Sequence, residues 1–287
     1  MQNAELPSGT LLKQRYRVEE LIGRGGAAIV YKVYDTREEC FAAVKELFPL
    51  SCCGRNPGES KIFVYSSNAE PVFRDFLNYF WEEGHLLMSF ADECPNLVRV
   101  YDCFLENQTC YIVMELLAGF ELDVYWKRKG RKLPEKEIVH IAGELLNALD
   151  YIHGRGTIHR DVCLKNSFLT AAGQIKLIDF GAACKKGETD ISIIIRPGYS
   201  PPEQYRTRGK LGFWTDLYAL GAVLYTLAAG REPVPSLDRI QKDTLLPPAA
   251  YNQEVSGHLS EVIMQALCLD TRGRYQTAAE FRRALER

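Results

Sequence analysis

Two acidic residues and one amide in this chain are spaced for phosphate chemistry. Residues 158–168 read IHRDVCLKNSF and residues 175–181 read IKLIDFG, which puts Asp161, Asn166 and Asp179 within two neighbouring segments. A strand-turn-strand of that length can bring the three side chains into one pocket. Mg2+ prefers oxygen ligands and substrate phosphates, so Asn166 and Asp179 suit it as metal ligands. Asp161 is then placed to align an attacking hydroxyl and to accept its proton.

Two further stretches fit the same chemistry. GRGGAA (23–28) lies between two β-rich runs, and Gly23, Gly25 and Gly26 let the backbone bend over phosphates and offer N–H groups to them. Such turns are common in hairpins, so this signal is weak by itself. Lys45 closes the run AAVK, where three apolar residues imply a buried strand whose lysine points into a cleft. Glu82 and Glu83 both lie on the next helical segment as partners for it. Glu83 is preferred, because it shares a helical face with Tyr79, Phe80, Leu86, Leu87 and Phe90.

The elements that must position these residues follow from periodicity. YRVEELI (16–22), AIVYKVYD (28–35) and CFAAVKEL (40–47) read as strands, and RDFLNYFWEEGHLLMSF (74–90) as a helix. LVRVYDCFLE (97–106) and TCYIVMELL (109–117) add two strands around a short turn. The second part is helical, with a long amphipathic helix at 134–156 behind Pro134 and others at 217–230, 258–269 and 277–286. The fold class is therefore α+β: a small lobe of five antiparallel strands and one key helix at about 10–115, a connector at 115–121, and a larger, mostly α-helical lobe at 122–287. All of it is read as one domain over 1–287. Residues 48–72, FPLSCCGRNPGESKIFVYSSNAEPV, form an insertion between the third strand and the helix. It reads as a surface loop with KIFVY as a candidate strand, and a regulatory or partner-binding role is the alternative.

Composition removes several classes. A net charge of −2 and a pI near 6.3 give no basic surface for nucleic acid. The nine cysteines include no CxxC pair, so zinc-ligand spacing is absent, and scattered thiols fit a reducing, cytoplasmic location. Cys52-Cys53, in a Gly/Pro/Ser-rich stretch, is expected to be exposed. The N-terminus shows no signal peptide, and LYALGAVLYTLAAG (217–230) is too short to span a membrane, so it reads as a buried helix.

Taken together and in order, these motifs resemble the eukaryotic-type protein kinase family, from about residue 16 to 286, and PGYSPPEQY (197–205) is most similar in style to bacterial serine/threonine kinases. The resemblance implies a bilobal kinase fold and transfer of the γ-phosphate of ATP to a protein hydroxyl, most readily serine or threonine, with Mg2+ or alternatively Mn2+. It makes Lys45 the α/β-phosphate lysine, Glu83 its partner, Asp161 the catalytic aspartate, and Asn166 and Asp179 the metal ligands. It also makes Met114 the gatekeeper, places backbone groups of Glu115 and Leu117 at adenine and Glu121 near ribose, and sets Val30, Ala43 and Phe168 around the base. Glu203 and Arg274 become a structural ion pair, and Asp216 a brace for the catalytic loop. ATP and a protein substrate are the implied partners, and dimerisation is left open.

Four departures qualify the resemblance. Ala28 takes the place of a third glycine, and Ala27 that of an aromatic tip. Cys163 stands where serine/threonine kinases carry a lysine; Lys165, at the spacing used by tyrosine kinases, is read as supplying that charge instead. Arg196 replaces a threonine that contacts the lysine and the catalytic aspartate, and is expected to stabilise phosphate or repel Lys165. The activation segment offers Thr189 and Ser192 as phosphorylation sites, and its isoleucines suit apolar packing equally well. Two competing functions follow: a pseudokinase serving as an ATP-binding scaffold or sensor, or a kinase of small molecules.

Overall fold

β-branched and aromatic residues alternate with polar ones through the first third of the chain, and that alternation builds its sheet. The computed structural model describes residues 5–90, 93–188, 194–206 and 209–287. Two units make up the chain, one from residues 1–93 and 98–117, the other from residues 94–97 and 118–287.

In the first unit, β1 (Leu11–Leu12), β2 (Tyr16–Arg24), β3 (Ala28–Asp35) and β4 (Cys40–Leu47) lead to an insertion carrying β5 (Cys53–Arg55) and β6 (Ile62–Val64). Helix α1 (Glu70–Ser89), β7 (Val100–Glu106) and β8 (Thr109–Glu115) follow. The main sheet has the order β1-β2-β3-β4-β8-β7, antiparallel throughout. Its sixth strand, β1, is only two residues long and leaves no periodic signal. β7 and β8 are joined through Asn107 and Gln108, both at positive φ (52° and 63°), the geometry of a two-residue hairpin turn.

Period-2 alternation sends Ile29, Tyr31 and Val33 of β3 into the core and leaves Val30 half-buried on the other face. Helix α1 begins four residues earlier than its spacing predicts, with Pro71 in the first turn. It buries Phe73, Phe80, Glu83, Gly84 and Leu87. Tyr79, read from sequence as part of this face, is 52% exposed.

The insertion is not the surface loop its composition predicts. β5 and β6 pair antiparallel, which confirms KIFVY as a strand, and Cys52 and Cys53 are buried rather than exposed. Arg55 accounts for this packing. Its side chain is fully buried, donates through Nε to the Ser60 carbonyl (3.1 Å), and ion-pairs with the equally buried Glu46 of β4. Tyr31 and Tyr111 donate their hydroxyls to the same Glu46 carboxylate at 3.0 and 2.7 Å. A buried charge persists only when paired and hydrogen-bonded, and these donors meet that condition.

The second unit contains β9 (Gly119–Glu121), α2 (Leu122–Arg128), α3 (Glu135–Gly154), β10 (Thr157–Ile158), β11 (Ser167–Thr170), β12 (Ile175–Leu177), β13 (Cys184–Lys185), α4 (Phe213–Ala229), α5 (Ser236–Gln241), α6 (Gly257–Ala266) and α7 (Ala278–Leu285). Helix α4 is buried along almost its whole length, as its continuous apolar sequence requires. Helix α3 presents Ile138, Ile141, Leu145, Leu149 and Ile152 as one buried stripe. Ser256 caps α6 and Thr277 caps α7 through their hydroxyls. Among the described residues no helix is long and apolar enough to cross a membrane.

Candidate active site

Of the residues assigned from sequence, Gly23, Gly25, Gly26, Val30, Ala43, Lys45, Glu83, Met114, Glu115 and Leu117 lie in the first unit. Glu121, Asp161, Lys165, Asn166, Phe168 and Asp179 lie in the second.

The glycine-rich turn closes on itself, with the Gly25 N–H donating to the Ala28 carbonyl at 2.8 Å. Register then aligns the neighbouring positions. Val30 sits opposite Lys45, and Ala43 opposite Met114, so the four share one face of the sheet. Lys45 extends its ammonium to Glu83 Oε1 at 2.7 Å and lies 5.3 Å from the centre of the Phe80 ring. Both side chains are largely buried, which fixes the lysine more firmly than a surface pair would. Residue 46 then points the other way, toward Arg55. Consecutive residues of β4 thus anchor helix α1 on one face and the insertion on the other.

In the second unit the loop that carries Asp161 hangs from Asp216. Its carboxylate accepts the backbone N–H groups of His159 and Arg160, both at 2.8 Å, and a hydrogen bond from His153 Nε2 at 2.8 Å. Burial pushes Asp216 upward, but the hydrogen bond from His153 and its neighbours outweigh this and hold it below the usual carboxylate range. Arg160 adopts φ 70°, a left-handed conformation uncommon for a non-glycine residue, and its carbonyl accepts from Gln204 Nε2 at 2.8 Å. His159 is fully enclosed. Burial lowers its pKa, so the ring is neutral, and the Asp161 N–H donating to Nδ1 (3.2 Å) assigns the ring proton to Nε2.

Asn166 turns its amide nitrogen to Asp161, donating to the backbone carbonyl at 2.9 Å and to Oδ2 at 2.8 Å. This orientation leaves the Asn166 side-chain oxygen as an acceptor. The Ile178 N–H donates to the Asn166 backbone carbonyl at 3.0 Å, which brings Asp179 alongside. Two oxygen-bearing side chains, one anionic and one neutral, fit a hard divalent cation carried with phosphate. Phe168 and Glu121 face each other in the β9–β11 pairing.

Three features go beyond the sequence reading. Arg196, expected to stabilise phosphate or repel Lys165, instead grips Asp161 in a fork, Nε to Oδ1 at 2.7 Å and Nη2 to Oδ2 at 2.8 Å. Lys165 lies on the exposed side of the 3-10 turn Leu164–Asn166. Cys163 is buried, and burial pushes its thiol up to about 11, so it is a neutral packing group at neutral pH. In the sequence, the loss of a lysine at position 163 and the arginine at position 196 together hint at a cation arriving from elsewhere. Thr189 and Ser192 fall outside the described residues.

Further from the loop, Arg274 donates to Glu203 at 2.7 and 3.2 Å, as the family resemblance implies, and Thr215 adds a hydroxyl to the same carboxylate at 3.1 Å.

A sheet unit with a buried Lys–Glu pair and a helical unit with Asp, Asn and Asp on one loop system carry the parts that recur in phosphoryl-transfer folds. Residues 16–283 match the protein kinase domain family, and the chain belongs to that family. It is 31% identical over 283 residues to a probable serine/threonine-protein kinase of Clostridium acetobutylicum, covering 95% of this chain and 39% of that protein. It is 30% identical over 285 residues to the serine/threonine-protein kinase PrkC of Bacillus subtilis, covering 95% and 40%. With PknB of Mycobacterium tuberculosis the identity is 30% over 293 residues, covering 96% and 43%. The chain thus spans about two fifths of the length of these relatives. The solved structure of PpkA-294 in its apo form superposes with a TM-score of 0.88 at 32% identity, covering 99% of this chain and 100% of the other.

Proposed function

We propose that this chain is the catalytic domain of an ATP-dependent protein kinase that phosphorylates serine or threonine hydroxyls in the cytoplasm. The observation that carries this reading is the Asp161–Asn166–Asp179 arrangement, in which one amide fixes the aspartate and keeps an oxygen for a metal. Lys45, set by Glu83, binds the α- and β-phosphates, and the turn at Gly23, Gly25 and Gly26 offers backbone N–H groups to phosphate. Val30, Ala43, Met114 and Phe168 supply apolar contact for the base, backbone groups of Glu115 and Leu117 its polar edge, and Glu121 a ribose contact. Asn166 and Asp179 would hold Mg2+, with Mn2+ as the alternative, and the bound ion would supply charge neutralisation at the phosphates. Asp161 aligns the substrate hydroxyl and takes its proton.

The grip of Arg196 on Asp161 favours one competing reading, an ATP-binding scaffold without turnover. Labelled ATP and Mg2+ separate the two. Wild type is expected to phosphorylate itself or a generic protein substrate at least about 100-fold faster than Asp161→Asn or Lys45→Met. Wild type that binds ATP yet transfers no more phosphate than these variants would establish the scaffold. Phosphoamino-acid analysis of the product reads the hydroxyl type.

A further inference from the structure

We infer that Arg196 is the cation of the catalytic loop: it positions Asp161 and carries the positive charge to the phosphoryl group in transfer, a role that position 163 lacks and that Lys165 does not fill. The inference rests on the kinase reading above and specifies which residue completes its chemistry.

Charge and hydrogen-bond capacity around Asp161 support it. Cys163 is buried and neutral, and Lys165 is exposed with no ion pair among the described residues. Arg196 reaches Asp161 across 35 residues and binds both carboxylate oxygens. Its backbone is fixed for the purpose. The Arg196 N–H donates to Ser200 Oγ at 2.9 Å, and its carbonyl accepts from Tyr199 N (3.0 Å) and Ser200 N (2.9 Å). Ser200 is in turn held by Ser236, whose hydroxyl donates to the Ser200 carbonyl at 2.8 Å. A buried scaffold therefore presents the guanidinium, whose side chain remains 35% exposed.

An arginine that merely covered Asp161 would use up its acceptors, and this one does not. Among the described residues Oδ2 receives two donors, from Arg196 Nη2 and Asn166 Nδ2, whereas Oδ1 receives Arg196 Nε alone. A carboxylate oxygen accepts about two hydrogen bonds, so Oδ1 keeps one position for a substrate hydroxyl. A guanidinium has five N–H groups, of which two are spent on Asp161; three remain for phosphoryl oxygens. In the step itself the hydroxyl oxygen bonds to the γ-phosphorus and the bond from that phosphorus to the β–γ bridging oxygen breaks. ADP leaves with that electron pair, and the hydroxyl proton passes to Asp161 Oδ1. Arg196 stays protonated throughout.

Steady-state transfer from labelled ATP to myelin basic protein tests the assignment, with melting temperature and nucleotide affinity measured for each protein. Arg196→Ala is expected to lower kcat by about 100-fold or more, as loss of a preorganised charge donor does, while KM for ATP moves less than about threefold. Arg196→Lys recovers part of the loss, since a point charge replaces half of the fork. Lys165→Ala stays within about threefold of wild type. Position 163 is where serine/threonine kinases carry a lysine and position 196 where they carry a threonine, so Arg196→Thr with Cys163→Lys restores that pair and is expected to exceed Arg196→Thr alone by about tenfold. Such a gain cannot arise from misfolding. Arg196→Ala at or above the wild-type rate would make the arginine an inhibitory lid and overturn the inference, as would a large loss in Lys165→Ala with Arg196→Ala unimpaired. Wild type that binds ATP and transfers nothing defeats the kinase reading itself.

Discussion

Replacing Arg55 with methionine isolates the contact that holds the 48–72 insertion. The substitution keeps much of the side chain's bulk and removes its charge. Glu46 then remains in a site with no solvent exposure, and removing one partner of a buried pair typically costs about 3–5 kcal/mol. Tyr31 and Tyr111 still donate to the carboxylate, so the expected loss is near the lower end, about 3 kcal/mol, or a fall in Tm of roughly 10 °C. Burial already pushes Glu46 above the usual carboxylate range, against the pull of Arg55 and the two tyrosines. A carboxyl raised in the folded state loses stability as pH rises from its unfolded value, near 4.5, through its folded one. The variant should therefore be weaker at pH 8 than at pH 5. Adding Glu46→Gln removes the stranded charge and should restore roughly 1–2 kcal/mol. Denaturant titration at both pH values measures these differences. Thiol labelling supplies a local readout, because Cys53 is fully buried, with its thiol pushed up to about 12 by that burial, and it should become reactive when the hairpin loosens. A loss below about 1 kcal/mol, or a double variant no better than the single one, would refute the assignment of the insertion's stability to this cluster.

Two other outcomes follow from close contacts. A Cβ at Gly84 would lie 2.6 Å from Cys103 Sγ and 3.1 Å from Ile112 Cγ1, so Gly84→Ala should destabilise by about 1–2 kcal/mol despite its better helix propensity; Cys103→Ala in the same chain should reverse the sign in a thermal melt. Asp216→Asn turns an amide toward N–H donors and should cost about 2–3 kcal/mol at pH 7. Since Asp216 is held below its ordinary value, its contribution is present above about pH 4 and disappears as pH falls further, so the variant's denaturation midpoint should change less than that of wild type between pH 5 and 3.

The candidate site residues lie where short-range spacing puts them. Asp161 to Asn166 is one loop, and Glu83 lies on the helical face that also carries Phe80 and Leu87. β3 was legible as a run of β-branched and aromatic residues whose burial alternates, and β4 as a short apolar run buried on both faces. What could not be read depends on distant partners. Arg55 gives no signal of its own in the sequence, because its burial is decided by β3, β4 and β8 together, through Tyr31, Glu46 and Tyr111. Arg196 was recognised as out of place, but its hold on Asp161 needs the turn formed with Ser200, which local sequence does not specify. Tyr79 went wrong for the opposite reason: an aromatic on a helix fits the apolar stripe by type, yet its angle around the helix sends it to solvent.

The hairpin has a bearing on motion as well. Were residues 48–69 slack, the chain from β4 to α1 would reach about 70 Å at full extension. With β5 and β6 fastened to the sheet, only residues 65–69 run free between β6 and the first turn of the helix, a reach of about 20 Å. The insertion is thus a short leash on α1. Any swing of the helix that parts Glu83 from Lys45 must stay within that leash or first unseat Arg55.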